Sequence, residues 1–141
     1  MPDLKATLAD ARTIAVVGCS DRPTRTSYAI ARYLQEVGYR IIPVNPNITT
    51  CHGEVAYPNL ESLPDDVHID IVNIFRNPAY TAEMVQMAVD YAEASGAKPT
   101  VWTQLGVSTN EAQRLAEDAG LPYVNNRCIM VEHRRTAQGS V

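Results

Sequence analysis

The chain has 141 residues, of which 45% are hydrophobic and 20% charged, enough apolar material for one core and too much for a disordered chain. Its 12 Lys and Arg against 16 Asp and Glu leave a net charge of -4, which argues against binding nucleic acid through bulk charge. No apolar run approaches a membrane span, the first ten residues lack the apolar stretch of a secretory signal, and Cys19, Cys51 and Cys128 form neither an even disulfide set nor a CxxC pair; reduced thiols, no structural zinc and a cytoplasmic location are expected.

Residues 3–11 read as a short leading helix with Leu4 and Leu8 on one face. A strand is expected over 13–18: Ile14 to Val17 is an apolar run rich in β-branched residues, as in a strand buried on both faces, and Gly18 ends it. A polar turn with Arg22 and Arg25 follows. A helix is expected over about 27–37, because Ile30, Tyr33, Leu34 and Val37 keep helical spacing before Gly38. Strand, glycine turn and helix start together present backbone N–H groups to a phosphate. This turn is read as the floor of a nucleotide site.

The second strand, 40–45, is closed by Pro46. Residues 46–66 form an irregular connection, with a small strand near 55–57, one helical turn near 60–63 and a possible role as a lid. The third strand is 69–74. Asn77-Pro78 then opens a helix running to about Ala94, with Met84, Val85, Ala88, Val89 and Ala92 on its apolar face. The fourth strand is 100–103. Ser108 and Glu111 read as a capping box for a helix ending at Gly120. The fifth strand is about 122–125, 129–133 a last short element, and 136–141 a frayed tail.

The alternation of strands and helices implies an α/β fold, a five-stranded parallel sheet with helices on both faces. Right-handed crossovers suggest the Rossmann-like order 3-2-1-4-5, counting strands along the chain. Ligands of such sheets sit beyond the strand ends. Those ends carry Cys19-Ser20, Asn45-Pro46-Asn47, Phe75-Arg76-Asn77, Gln104-Leu105-Gly106 and Asn125-Asn126-Arg127. The dinucleotide fingerprint is broken twice: Ser20 stands where its second glycine belongs, and Asn45 where an acid would grip a ribose. Asn45 suits a ribose that carries a further phosphate, with the arginines free to pair with phosphates. No Walker A lysine motif occurs.

The blocks from Thr13 to Asn47, IDIVNIFRNP, VWTQLGV and NNRCIMVEHRR together resemble the stand-alone bacterial CoA-binding proteins, which are similar to the N-terminal domain of the succinyl-CoA synthetase α subunit. The likeness covers about residues 10–135 and implies one Rossmann-like domain with coenzyme A or an acyl-CoA at its strand ends. By that resemblance Gly18, Cys19, Ser20, Arg25 and Ser27 make the phosphate turn, and Asn45 and Pro46 lie against the nucleotide end. Phe75, Arg76 and Pro78 wall the adenine or pantetheine path, and Gln104, Gly106, Asn125 and Arg127 close the far side. Cys128 matches a position that is commonly Cys in the family.

The synthetase's phosphohistidine domain and ATP-grasp partner do not fit in 141 residues, so binding without catalysis is expected; the helices show no clear second apolar face, so a monomer is expected. Two readings compete with it: an NAD(P)-linked or thiol-dependent enzyme using the same edge, and an accessory domain that docks on a protein partner. Cys19 and Trp102 are expected in the core, and His52, His68 and His133 on the surface.

Overall fold

The computed structural model describes residues 1–138. Helix α1 (Leu4–Asp10) leads into strand β1 (Thr13–Val17), helix α2 (Thr26–Glu36) and strand β2 (Arg40–Val44). A two-stranded antiparallel hairpin, β3 (Thr50–Cys51) and β4 (Glu54–Val55), sits in the connection that follows. Then come β5 (Ile71–Ile74), a 3-10 turn at Pro78–Tyr80, α3 (Thr81–Ser95), β6 (Thr100–Thr103), α4 (Asn110–Asp118), β7 (Tyr123–Val124) and α5 (Ile129–Gln138).

The main sheet is parallel, in the order β2-β1-β5-β6-β7. With Ile71–Ile74 counted as the third strand, this order is 2-1-3-4-5. The position outside β2, which the order 3-2-1-4-5 gives to the third strand, is held by Tyr57 through a single parallel bridge to Val44. Tyr57 donates its N–H to the Pro43 carbonyl and accepts from the Asn45 N–H, both at 2.9 Å. Counting that stub, the sheet reads 3-2-1-4-5 with a sixth strand beyond. All four residues of β5 are buried, and the strand pairs on both sides, with β1 and with β6.

Every residue of β1 is buried, and its side chains alternate between two cores as the strand pleat requires. Ala15 and Val17 join Ile42, Val44, Val72, Ile74 and Val101 beneath α3 and α4. Ile14 and Val16 join Ile41, Ile71, Trp102 and Val124 on the face that Ile30 and Leu34 of α2, Leu8 of α1 and Ile129 of α5 cover. Helix α2 buries Ser27, Ile30, Ala31 and Leu34, the i, i+3, i+4, i+7 stripe of a helix laid on a sheet.

Two local readings are corrected. The cap of α4 is Thr109, whose hydroxyl accepts from the Ala112 N–H; Ser108 instead shares a 2.6 Å hydrogen bond with the Tyr123 hydroxyl. The last element is a ten-residue helix rather than a short one. It packs on α1 and α2, a tertiary support that its weakly patterned sequence does not advertise. Of the tail 136–141, residues 136–138 belong to α5, and the fraying expected of 139–141 lies outside the described residues. Among the described residues no helix is long and apolar enough to cross a membrane.

Candidate functional site

The turn after β1 is held by short-range chemistry. Gly18 has a φ of 85°, a conformation that costs glycine little and other residues much. Its N–H donates to the Val44 carbonyl at 2.8 Å, tying β1 to β2 where the strands end. The Ser20 N–H donates to Ser27 Oγ at 2.9 Å, and Ser20 Oγ accepts from the Arg22 N–H at 3.0 Å. The chain thus folds back on the first turn of α2.

The N-cap of α2 is Arg25, which supplies no side-chain cap. The N–H groups of Thr26 and Ser27 accordingly have no protein acceptor among the described residues. Unmet N–H donors at a helix start carry about half a positive charge. Arg22 and Arg25 are exposed beside them, and among the described residues neither is in an ion pair. An arginine is an unusual cap and adds a cation where the helix is already positive.

Two adjoining cavities open here, sharing Gly18, Asn45 and Arg76. The polar one, about 560 Å³, is lined by Ser20, Asp21, Arg22, Arg25, Thr26 and Ser27 together with Asn47, Ile48 and Phe75, so one exposed carboxylate stands among its arginines. The more apolar one, about 290 Å³, lies between the ends of β1 and β2 and the first turns of α3, walled by Val17, Val44, Pro46, Pro58, Met84 and Met87 with Asn59 and Glu83 as polar groups. Arg76 stands between them, its guanidinium 4.6 Å from the centre of the Tyr80 ring.

Eight of the residues expected at the site line these cavities: Gly18, Ser20, Arg25, Ser27, Asn45, Pro46, Phe75 and Arg76. Asn45 is committed to the protein, donating from Nδ2 to the Cys19 carbonyl and accepting at Oδ1 from the Asn47 N–H, both at 2.9 Å. It braces the turn against the end of β2.

Six others are not in either lining. Cys19 is fully buried, with its Sγ directed to Cys51. Pro78 is exposed on the 3-10 turn. Gln104 is buried, and its Oε1 accepts from the Ile129 N–H at 2.9 Å and from Asn73 Nδ2 at 3.3 Å. The Gly106 N–H donates to Asn126 Oδ1, Asn125 Nδ2 donates to Gln113 Oε1, and Arg127 pairs with the buried Glu132. These groups share the carboxyl edge but stand at its β6–β7 end.

Pro46 apart, the apolar wall carries no signal in the sequence. Met84 was assigned to the core face of α3, and Met87 lies three residues further on. Both are half-buried, packed against the core and lining the cavity. Pro58 and Asn59 come from the irregular connection, whose path no periodicity reports. Trp102 is in the core as expected, its Nε1 donating to the Arg127 carbonyl at 2.8 Å. Of the histidines, only His68 is exposed. His52 and His133 are half-buried, His52 Nε2 lying 2.8 Å from the Tyr28 carbonyl and His133 Nδ1 2.7 Å from the Tyr33 hydroxyl.

A parallel sheet of Rossmann type, with a glycine turn, an uncapped helix start and arginines over its carboxyl edge, places the chain in the Rossmann-like class of α/β proteins, whose ligands sit beyond the strand ends. Residues 12–134 match the family described as CoA binding domain, and the chain belongs to that family. It is 37% identical over 134 residues to the protein YneT of Bacillus subtilis (strain 168), covering 95% of this chain and 94% of that one. Among solved structures, a hypothetical protein from Pyrococcus horikoshii OT3 superposes with a TM-score of 0.87 at 37% identity, covering 96% of this chain and 90% of that one. A protein from Thermus thermophilus gives 0.84 at 36% identity, over 94% and 96% of the two chains.

Proposed function

We propose that this protein binds coenzyme A, free or acylated, at the carboxyl edge of its sheet, with residues of about 10–135 acting as one cytoplasmic binding domain that performs no catalysis of its own. The observation that carries the reading is the joined pair of cavities: one lined by unpaired arginines and unmet helix N–H groups, the other walled by apolar side chains. The ligand has the matching split, since coenzyme A joins an adenine ring to a diphosphate, a ribose phosphate and a long pantetheine arm.

The donor set fits that group. The diphosphate would rest over the first turn of α2, taking N–H groups from Thr26 and Ser27 and charge from Arg22 and Arg25. The adenine ring would enter the apolar cavity between Pro46, Pro58 and the two methionines, where Asn59 and Glu83 offer polar partners for its edge. Arg76, at the junction, is in reach of whichever phosphate the ribose carries. The arm would follow the strand ends toward Gly106 and Asn125. No carboxylate stands at Asn45 to repel a ribose phosphate, which favours this ligand over NAD.

Calorimetry with coenzyme A, dephospho-coenzyme A, NAD, NADP and ATP tests the reading, with native mass spectrometry of the purified protein to detect what it carries. Coenzyme A is expected to bind most tightly. Loss of the ribose phosphate is expected to weaken binding about 10-fold or more, the value of one charge-assisted contact of roughly 1.5–3 kcal/mol. NAD or NADP binding more tightly than coenzyme A, with hydride transfer, would replace the proposal with the enzyme reading.

A further inference from the structure

Two cysteines meet beneath the phosphate turn. Cys19 and Cys51 are 32 positions apart in sequence, and their Sγ atoms are 3.7 Å apart in the buried core. Cys19 directly follows Gly18 in the turn, and Cys51 ends β3 of the hairpin. Both side chains converge on one backbone atom: the Ser20 carbonyl lies 3.4 Å from Cys51 Sγ and 3.9 Å from Cys19 Sγ. The hairpin is separately anchored to α2, through His52 Nε2 at 2.8 Å from the Tyr28 carbonyl and Gln35 Nε2 donating to the His52 carbonyl at 3.1 Å. The segment that leads into it carries Asn47 and Ile48, which line the polar cavity.

We propose that Cys19 and Cys51 are an oxidisable dithiol whose disulfide clamps the hairpin to the phosphate turn. A disulfide needs its sulfurs about 2.0 Å apart. The pair already touches, so side-chain rotation and a small settling of the hairpin close the gap. The third cysteine, Cys128, is half-buried at the start of α5 and stands outside this pair.

The chemistry balances with a peroxide as oxidant. Cys51 Sγ attacks one peroxide oxygen, the O–O bond breaks, and the thiol proton leaves with the departing hydroxide as water. The resulting sulfenic acid is then attacked at sulfur by Cys19 Sγ. The S–O bond breaks, and the Cys19 proton joins the second hydroxide as water. Two thiols and one peroxide become one disulfide and two waters.

The order of roles follows from the surroundings. Burial raises the Cys19 thiol far above its ordinary range, and the neighbouring Cys51 and Asp21 raise it further. Burial also raises Cys51, but the hydrogen bond from Cys19 offsets part of that. Cys51 is accordingly written as the attacking thiol and Cys19 as the resolving one, and the linked product is the same with the roles exchanged.

The test is peroxide treatment of the reduced full-length protein, alkylation under denaturing conditions and peptide mapping, with amide hydrogen exchange on both forms. The expected product has lost two hydrogens, carries a Cys19–Cys51 linked peptide and keeps Cys128 open to alkylation. Exchange is expected to slow across residues 47–56 in the oxidised form. Cys128→Ser should leave the link intact. Cys51→Val and Cys19→Ala should each abolish it, and two variants guard against one that fails to fold. The proposal is overturned if Cys19 and Cys51 both remain alkylatable while Cys128 is consumed. It is also overturned if the link forms without altering exchange in the hairpin.

Discussion

Gly18 offers the sharpest quantitative test, because the structure supplies its own control. A Cβ at this position would stand 3.1 Å from the Phe75 carbonyl oxygen and 3.2 Å from Arg76 Cδ. Arg76 can swing aside. Phe75 cannot, since its N–H is held by the Val17 carbonyl at 2.9 Å. Gly120 has a closely similar φ, 76° against 85°, yet a Cβ there meets nothing within 4 Å. Gly120→Ala therefore carries only the left-handed backbone cost of about 1–2 kcal/mol. That is partly offset by about 0.4–1 kcal/mol from a stiffer unfolded chain, for a net loss near 1 kcal/mol.

Gly18→Ala carries the same terms plus the crowding of a fixed backbone atom, about 1–2 kcal/mol more, for a total of roughly 2–3 kcal/mol. Urea denaturation followed by circular dichroism reads the difference as a lower midpoint at unchanged slope. Equal losses in the two variants, or a smaller one for Gly18→Ala, would show that the close approach of β1 and β5 at this turn is not what demands glycine.

Other outcomes can be checked in the same preparations. Arg25→Ala should weaken coenzyme A binding about 10-fold or more in calorimetry while shifting stability by no more than about 0.5 kcal/mol, because the exposed guanidinium has no ion-pair partner among the described residues. Thr109→Ala should cost about 1 kcal/mol in urea melts through loss of the α4 cap, and Ser108→Ala should leave that cap intact. Trp102→Ala should cost about 3–5 kcal/mol, since the side chain is fully buried and its Nε1 bonds the Arg127 carbonyl.

His133 should add a pH dependence. Burial beside Tyr33 of α2 and Tyr39 lowers its pKa below the ordinary 6.5. The unfolded chain then takes up a proton more readily than the folded one. The stability that this neutral ring contributes is complete above about pH 6.5 and is lost as the pH falls through the lower folded value. Melting temperatures of wild type and His133→Gln, measured from pH 7.5 down to 5, should converge toward the acid end. Parallel curves would refute this assignment.

Much of this molecule was legible in its sequence because the signals were local. A β-branched run closed by Gly18, a helical stripe at Ile30, Leu34 and their neighbours, and Asn-Pro at 77–78 each reflect contacts within a few residues. Alternating strands and helices then imply a parallel sheet covered on both faces. The phosphate turn was legible for the same reason: glycine, serines and arginines lie within ten consecutive positions. The rest was decided by contacts between distant segments. Tyr57 takes the edge beside β2, so Ile71–Ile74 lies inside against β1. Thr109 rather than Ser108 caps α4, since Tyr123 claims the Ser108 hydroxyl. Pro58, Asn59, Met84 and Met87 form one wall only once an irregular connection and a helix are laid side by side, and Cys19 meets Cys51 only when the hairpin folds over the turn. Local patterning specifies which residues are helical, extended or turning. Which of those surfaces face one another depends on burying all of them at once, and that is a property of the folded chain.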